Sequence, residues 1–298
     1  MTRPREILPS SFYMLNRRCT QRQFLLRPDD ETNNAIIYCL AVAAERFGID
    51  VILPVVESNH HHTTIFDRYG REPEFTEHFH KLVARCMNAL RGRWENLWSS
   101  EPACTVKLIG RETVIKKLVY AASNPVKDRL VDRVHHWPGV NGYRNLMSGR
   151  ALTATRPRHF FSDDGVMPET VTLHLTIPPE LGSPQEIIEA VREGVEAVER
   201  DVATERRNTG ARVLGRRAVL AQCWRDSPTS REPRRNLRPR FAAADSDARV
   251  RALLRYRAFL HAYDEARHRH RSGQSALFPY GTYWLHRFVN VPIAPPTN

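Results

Sequence analysis

Residues Phe12 to Cys19 read as a strand, and Asp29-Asp30 then stand where side chains cap a helix that ends at Gly48. Ile49 to Val56 is an apolar, β-branched run of strand length, followed by a turn at Glu57 to Asn59 and a further strand-like segment through Thr63, Thr64, Ile65 and Phe66. Pro73 suits a first helical turn, and Phe75, Phe79, Leu82, Val83, Cys86 and Leu90 recur with helical period. Thr105 to Ile109 alternates as a short strand. Gly110 breaks it, and Glu112 to Ala122 forms a helix that Asn124-Pro125 should stop, because a residue before proline is pushed out of the α region.

Strand, helix, strand, strand, helix, strand, helix suits an α+β fold with helices packed on one antiparallel or mixed sheet. Beyond Arg156 the chain becomes rich in Pro, Arg, Asp and Gly, which predicts a linker over 151–167 between a domain at 1–150 and a region at 168–298. In that region Val171, Leu173, Leu175 and Ile177 alternate as a strand. Ser183-Pro184 opens a long helix to about Arg207, a second helix runs from about Asp245 to His270, and an aromatic tail spans Phe278 to Phe288.

With 298 residues, 41% hydrophobic and 26% charged, the chain has room for two cores and excludes a fibrous or wholly disordered protein. The longest apolar runs, such as Ala35 to Ala44, are too short to span a bilayer, and Met1 to Pro9 lacks a signal core, so a cytoplasmic protein without a membrane partner is expected. Five scattered cysteines without a C-x-x-C pair argue for reduced thiols and against a structural zinc site.

Charge narrows the partner. A net +12 and a pI near 9.9 point to a polyanion. Between Arg206 and Arg240 eleven arginines face two acids, so this window carries +9. Its three prolines, Pro228, Pro233 and Pro239, resist regular structure, which predicts an accessory nucleic-acid-binding stretch, Arg234 and Arg235 included, that adds no catalytic group.

The chemistry concentrates in Asn59-His60-His61-His62-Thr63. Side chains alternate across a strand, so His60 and His62 share one face and His61 takes the other. Two imidazoles aimed at one point can ligate a divalent metal and leave positions open for a phosphate oxygen and water. Tyr120 and Asn124 lie four apart on one helix face, where an amide oxygen can complete the site and set a phenol beside the metal-bound phosphate. With a free pKa near 10, a tyrosine is a weak nucleophile at neutral pH without such help. Its attack would yield a 5′-phosphotyrosine and a free 3′-hydroxyl.

These residues resemble the single-tyrosine transposases of the HUH nuclease group, the REP-associated and insertion-sequence types, over about residues 5 to 145. The likeness rests on Leu15-Asn16-Arg17-Arg18 with Phe24-Leu25, on Asn59-His60-His61-His62, and on Asn88 to Arg93 with Leu97-Trp98. Tyr120 to Lys127, similar to a Y-x-x-N-P-V helix end, and Trp137-Pro138 complete it. The resemblance implies a ferredoxin-like antiparallel sheet with helices on one face, followed here by a mainly helical extension. It implies His60, His62 and Asn124 as metal ligands, Tyr120 as the catalytic nucleophile, Mg²⁺ or Mn²⁺ as the ion, and single-stranded or hairpin DNA as the substrate of a monomer or homodimer. A domesticated relative that binds DNA or RNA hairpins without cutting is the alternative. Two departures stand out. His61 occupies a usually apolar position, so it is either satisfied in the interior or replaces a ligand, and Glu57-Ser58 replaces the usual Met-Pro. Arg17, Arg18, Arg22, Arg91 and Arg93 are candidates to track a DNA backbone, with Trp94 and Trp98 available for stacking.

Overall fold

A computed structural model describes residues 4–230 and 239–296. Five strands form one sheet in the order β2-β3-β1-β4-β7: β1 is Ser11–Arg18, β2 Ile49–Glu57, β3 His60–Asp67, β4 Cys104–Ile109 and β7 Phe241–Ala243. The first four pair antiparallel, and β7 joins the β4 edge in parallel. This is the expected α+β architecture, and of the antiparallel and mixed sheets that the sequence pattern allowed it is the mixed one.

Helix α1 (Asp30–Phe47) begins where Asp29 accepts a hydrogen bond from Thr32 N and ends at Gly48, whose left-handed φ of 64° favours glycine. Helix α2 (Glu72–Arg91) starts on the buried Asp67 carboxylate, which accepts from Arg71 N at 2.9 Å and Glu72 N at 2.8 Å. Both helices cover one sheet face, their Tyr38, Leu40, Phe75 and Phe79 meeting Tyr13, Leu15 and Ile65.

The opposite face is covered too, which corrects the expectation of helices on one face only. Helix α3 (Arg111–Lys127) packs Leu118, Ala121 and Ala122 against Met14, Leu53 and Phe66. Helix α5 (Pro184–Thr209) backs α3 with Ile187, Val191 and Val195. Their close approach needs Gly194, where a Cβ would come within 2.6 Å of a Val119 methyl.

Asn124-Pro125 does not stop α3, which runs on to Lys127. Tertiary context overrides the local preference: Pro125 and Val126 are buried, and Asn141 Nδ2 donates to the Ala122 carbonyl at 3.0 Å in the turn that lacks a proline N–H. The extra turn keeps Asp128 on the face that carries Tyr120 and Asn124, since four-residue steps return to one side of a helix.

The expected linker is built into the fold. Strands β5 (Leu152–Thr155) and β6 (Thr170–Leu173) form an antiparallel pair, and Phe160, Phe161 and Met167 between them pack on the α1 and α2 core. Tyr38 Oη donates to the Pro168 carbonyl at 2.6 Å. The remaining elements are mostly helical: α4 (Tyr143–Ser148), α6 (Arg216–Ala221), α7 (Ser246–Arg271) and α8 (Trp284–Val289). Phe278 is buried against Tyr263 of α7, so the start of the aromatic tail packs back on the protein, whereas Trp284 and Phe288 are exposed. Among the described residues no helix is long and apolar enough to cross a membrane.

Candidate active site

A β-bulge sets the stage. Pairing of β2 with β3 shifts between Val51 and Leu53, so beyond the bulge Val55 stands opposite His62 and Glu57 opposite His60. A one-residue slip reverses which side chains face which layer. Glu57, His60 and His62 therefore point toward α3, together with Arg18 and Asn16 of β1.

The His60 and His62 rings meet edge to face with centroids 4.9 Å apart. His60 Nδ1 lies 2.8 Å from Asn59 Oδ1, a bond in which the ring N–H donates and which puts the lone pair on Nε2. His62 is buried, with Nδ1 3.2 Å from the Asn16 side-chain amide. The atom facing Nδ1 is the amide nitrogen, so Asn16 Nδ2 donates to the His62 Nδ1 lone pair and fixes the orientation of the ring. Burial holds His62 well below the usual imidazole range, with the neighbouring His60 pushing the same way, so it is neutral and able to ligate.

His61 lies on the other face and does not join them. It is 2% exposed, its Nε2 is 2.8 Å from His80 Nε2, its Nδ1 is 3.0 Å from Thr63 Oγ1, and its ring packs on Phe79 and Trp98. Of the two alternatives open from sequence, this is interior satisfaction.

Tyr120 reaches the site from α3, its ring 5.6 Å from the His62 ring. Burial raises the phenol pKa, and a hydrogen bond from Asn124 works against that rise. Lys117 and Lys127 place ammonium groups 5.2 and 5.1 Å from the Tyr120 ring centroid. One turn beyond Asn124, Asp128 hydrogen-bonds to Glu57. Burial, with the charge of Asp128, pushes Glu57 well above the usual carboxylate range. Burial of its inner side also raises Asp128, which is open to solvent on its outer side.

These groups share one cleft of about 970 Å³, lined by Asn16, Arg17, Arg18, Arg22, Glu57, His60, His62, Tyr120, Asn124 and Asp128. Its remaining wall comes from the C-terminal half: Gln222, Ser227, Pro228, Thr229 and Ser230. Arg22 donates to the Ser230 carbonyl at 2.6 Å, Ser227 Oγ donates to the Gln21 carbonyl at 3.0 Å, and Phe24 N donates to the Asp226 carbonyl at 2.9 Å. The region after 165 is thus a wall of the cleft and not a detached accessory.

Of the proposed DNA contacts, Arg17, Arg18 and Arg22 line the cleft, Arg17 also lying over the Trp98 ring at 5.4 Å. Arg91 does not: it is bound to Asp29 at 2.9 Å and Thr32 Oγ1 at 2.7 Å, tying the end of α2 to the start of α1. Arg93 is outside the cleft lining, with a buried Nε that has no partner. Arg234 and Arg235 lie outside the described residues. Trp98 is buried, its Nε1 donating to the His80 carbonyl at 2.9 Å, while Trp94 is 96% exposed, so only Trp94 is available for stacking. Sequence reasoning missed Asn16, Glu57, Lys117, Lys127 and Asp128. Helical spacing from Tyr120 could have found Lys117, Lys127 and Asp128, whereas Asn16 and Glu57 needed the strand register.

The donor set suits a hard divalent cation. Two neutral imidazoles and an amide oxygen are ordinary ligands, and Glu57 Oε1 is a buried oxygen with no hydrogen-bond partner. Among the described residues no three His, Cys, Asp or Glu side chains form a ready-made metal cage, so any such site is an open one.

No protein-family profile and no curated protein matches the chain. Among solved structures it is similar to a REP-associated tyrosine transposase bound to a REP hairpin, at 14% identity over 50% of this chain and 86% of the other, with a TM-score of 0.42. It is also similar to a Deinococcus radiodurans R1 protein named as a transposase, at 18% identity over 36% of this chain and 85% of the other, with a TM-score of 0.27. At such values the likeness assigns no residue a role.

Proposed function

We propose that the protein is a divalent-metal-dependent single-strand DNA endonuclease and strand transferase with Tyr120 as its nucleophile. One observation carries this reading: Tyr120 and Asn124 of α3 stand beside His60 and His62 of β3 in an arginine-lined cleft.

Arg18 and Arg22 draw the phosphate backbone into the cleft, and the exposed Trp94 offers a face to an unpaired base. Asn124 holds the phenol by its hydrogen bond, and His62, kept neutral by burial, keeps a lone pair. A phenol of ordinary pKa is already protonated at neutral pH and burial raises that of Tyr120 further, so its attack needs an activated phosphate. A Mg²⁺ or Mn²⁺ ion held by His60, His62 and Asn124 would supply that activation by drawing charge from the phosphate oxygens. Tyr120 Oη then bonds to phosphorus as the bond from phosphorus to the 3′ oxygen breaks. The phenol proton leaves to water in the cleft, and the departing oxygen takes a proton to become a 3′-hydroxyl. Lys117 and Lys127 stabilise the negative charge that builds on the phenol oxygen.

The test is incubation of the full chain with a labelled DNA hairpin bearing a single-stranded flank and Mn²⁺, followed by denaturing electrophoresis. A covalent adduct is expected with the wild type and none with Tyr120→Phe, which keeps binding the hairpin. Hairpin binding without any adduct would leave the non-cleaving alternative in its place. Undiminished adduct from Tyr120→Phe would remove Tyr120 as nucleophile.

A further inference from the structure

Glu57 is 4% exposed and stands beside His60 and His62, whose Nδ1 atoms are held by Asn59 and Asn16. Its Oε1 has no partner, and its Oε2 lies 3.7 Å from His60 Nε2. Its remaining link is the hydrogen bond with Asp128, which caps the end of α3 four residues beyond Asn124 and eight beyond Tyr120. A protein that needed only a filled interior at residue 57 would carry an apolar side chain there, because a buried carboxylate oxygen without a partner destabilises the fold. The bulge in β2 turns this side chain into the cleft; one residue of slip the other way would send it to the opposite layer.

On the reading that His60 and His62 hold a divalent ion, we infer that Glu57 is a direct, anionic ligand of the same ion and that Asp128 positions it. Two ligands about 2.1 Å from one ion lie about 3.0 Å apart at right angles and about 3.6 Å apart when spread to 120°. The 3.7 Å between Glu57 Oε2 and His60 Nε2 is within a small side-chain rotation of that spacing. A rotation of the carboxyl that brings Oε1 to the ion gives that oxygen the partner it lacks and leaves Oε2 to Asp128. The consequence is chemical. Two imidazoles and an amide are neutral, so Glu57, giving up its proton as the ion binds, supplies the negative charge that holds a hard cation before DNA arrives.

The test uses the full chain without DNA and reads Mn²⁺ binding directly, by the loss of the free-ion signal in electron paramagnetic resonance titrations. Glu57→Gln keeps shape and hydrogen-bonding capacity while removing the charge. It is expected to weaken Mn²⁺ binding at least tenfold, within the roughly 10- to 100-fold range for lost metal partners. Asp128→Asn is expected to weaken it less, and the double variant should bind no worse than Glu57→Gln alone, because Asp128 acts through Glu57. Thermal melts without metal identify any variant that fails to fold, and Glu57→Asp, which keeps the charge, should then recover part of the affinity. Wild-type Mn²⁺ affinity in Glu57→Gln, with loss in His62→Ala, would overturn this inference and leave the proposed function standing. Unchanged Mn²⁺ binding in His60→Ala and His62→Ala, or none by the wild type, would remove both together.

Discussion

The histidine that does not belong to the cleft offers the sharpest check on the division of labour along β3. His61→Ala removes a ring packed against Phe79, His80 and Trp98 and a hydrogen bond of 2.8 Å to His80. Burial lowers the His61 pKa to about 3 and holds His80 well below the usual range, so both rings are neutral at pH 7 and one N–H serves the pair. His80 Nδ1 already lacks a partner, so the variant would leave both its ring nitrogens unsatisfied in the interior. The newly orphaned nitrogen costs about 1–3 kcal/mol. The missing ring adds roughly 2 kcal/mol, less than the 3–5 of a Phe→Ala change because imidazole is smaller and more polar. A loss of about 4 kcal/mol lowers the melting temperature by roughly 10 °C in a chain of this size. His80→Ala should cost a similar amount, and the double variant less than the sum by about 1–3 kcal/mol, since the two share one bond. Urea unfolding supplies the free energies, and adduct formation per folded molecule at low temperature supplies the function. Full adduct yield from the folded His61→Ala protein is expected. Wild-type stability together with loss of the adduct would mean that His61 is the ligand and that the face assignment on β3 is wrong.

Two further outcomes separate structure from binding. Asp29 is raised by burial but carried net downward to a pKa of about 2 by hydrogen bonds from Thr32, Arg27 and Arg91, so its stabilisation is present above the unfolded value of 3.8 and lost as pH falls toward 2; Asp29→Ala should cost about 2 kcal/mol at pH 7, and acid unfolding curves of variant and wild type should converge below pH 3. Trp94→Ala should leave the melting temperature unchanged, because the ring is 96% exposed, yet weaken single-stranded DNA about tenfold or more in a fluorescence titration, at about 1–3 kcal/mol per stacked base; equal affinity would show that no base stacks there.

Much of the first half of the fold was legible in the chain because its signals are local. Asp29 as a cap, Gly48 as a stop, Pro73 in a first turn and the alternation through the histidines each act within a few residues, and each stands where the pattern put it. The misses are all non-local. Pro125 sits inside α3 because burial and the Asn141 amide outweigh a dipeptide preference. Segment 151–167 reads as a linker by composition, yet Phe160 and Phe161 find an apolar surface on α1 and α2. Arg91 looked like a phosphate contact until Asp29 and Thr32, some sixty positions away, came beside it. In the cleft, His60, His62, Tyr120 and Asn124 could be named from spacing, whereas Glu57 depends on a bulge that no local pattern marks.

That dependence on distant contacts bears on whether the cleft can exist without the C-terminal half. Tyr120 is aimed by α3, and α3 is held from behind by Ile187, Val191 and Val195 of α5, each 0–1% exposed. Burying each of these side chains contributes about 1.5–3 kcal/mol, so together they rival a domain's whole margin of roughly 5–15 kcal/mol. A chain ending near residue 160 would also lose the wall formed by Gln222 and Ser227 to Ser230, with the hydrogen bonds that fix the turn at Gln21 to Phe24. Arg22, in that turn, is one of the cleft's three proposed backbone contacts. Loss of DNA cleavage in such a fragment would therefore report on the support of α3 and of the Arg22 turn, and a weaker affinity would not by itself measure the arginine window. Alanine substitutions of the wall residues Gln222 and Ser227 leave α5 in place, and for that reason they, rather than truncation, separate what the C-terminal half contributes to DNA binding from what it contributes to holding Tyr120 beside His62.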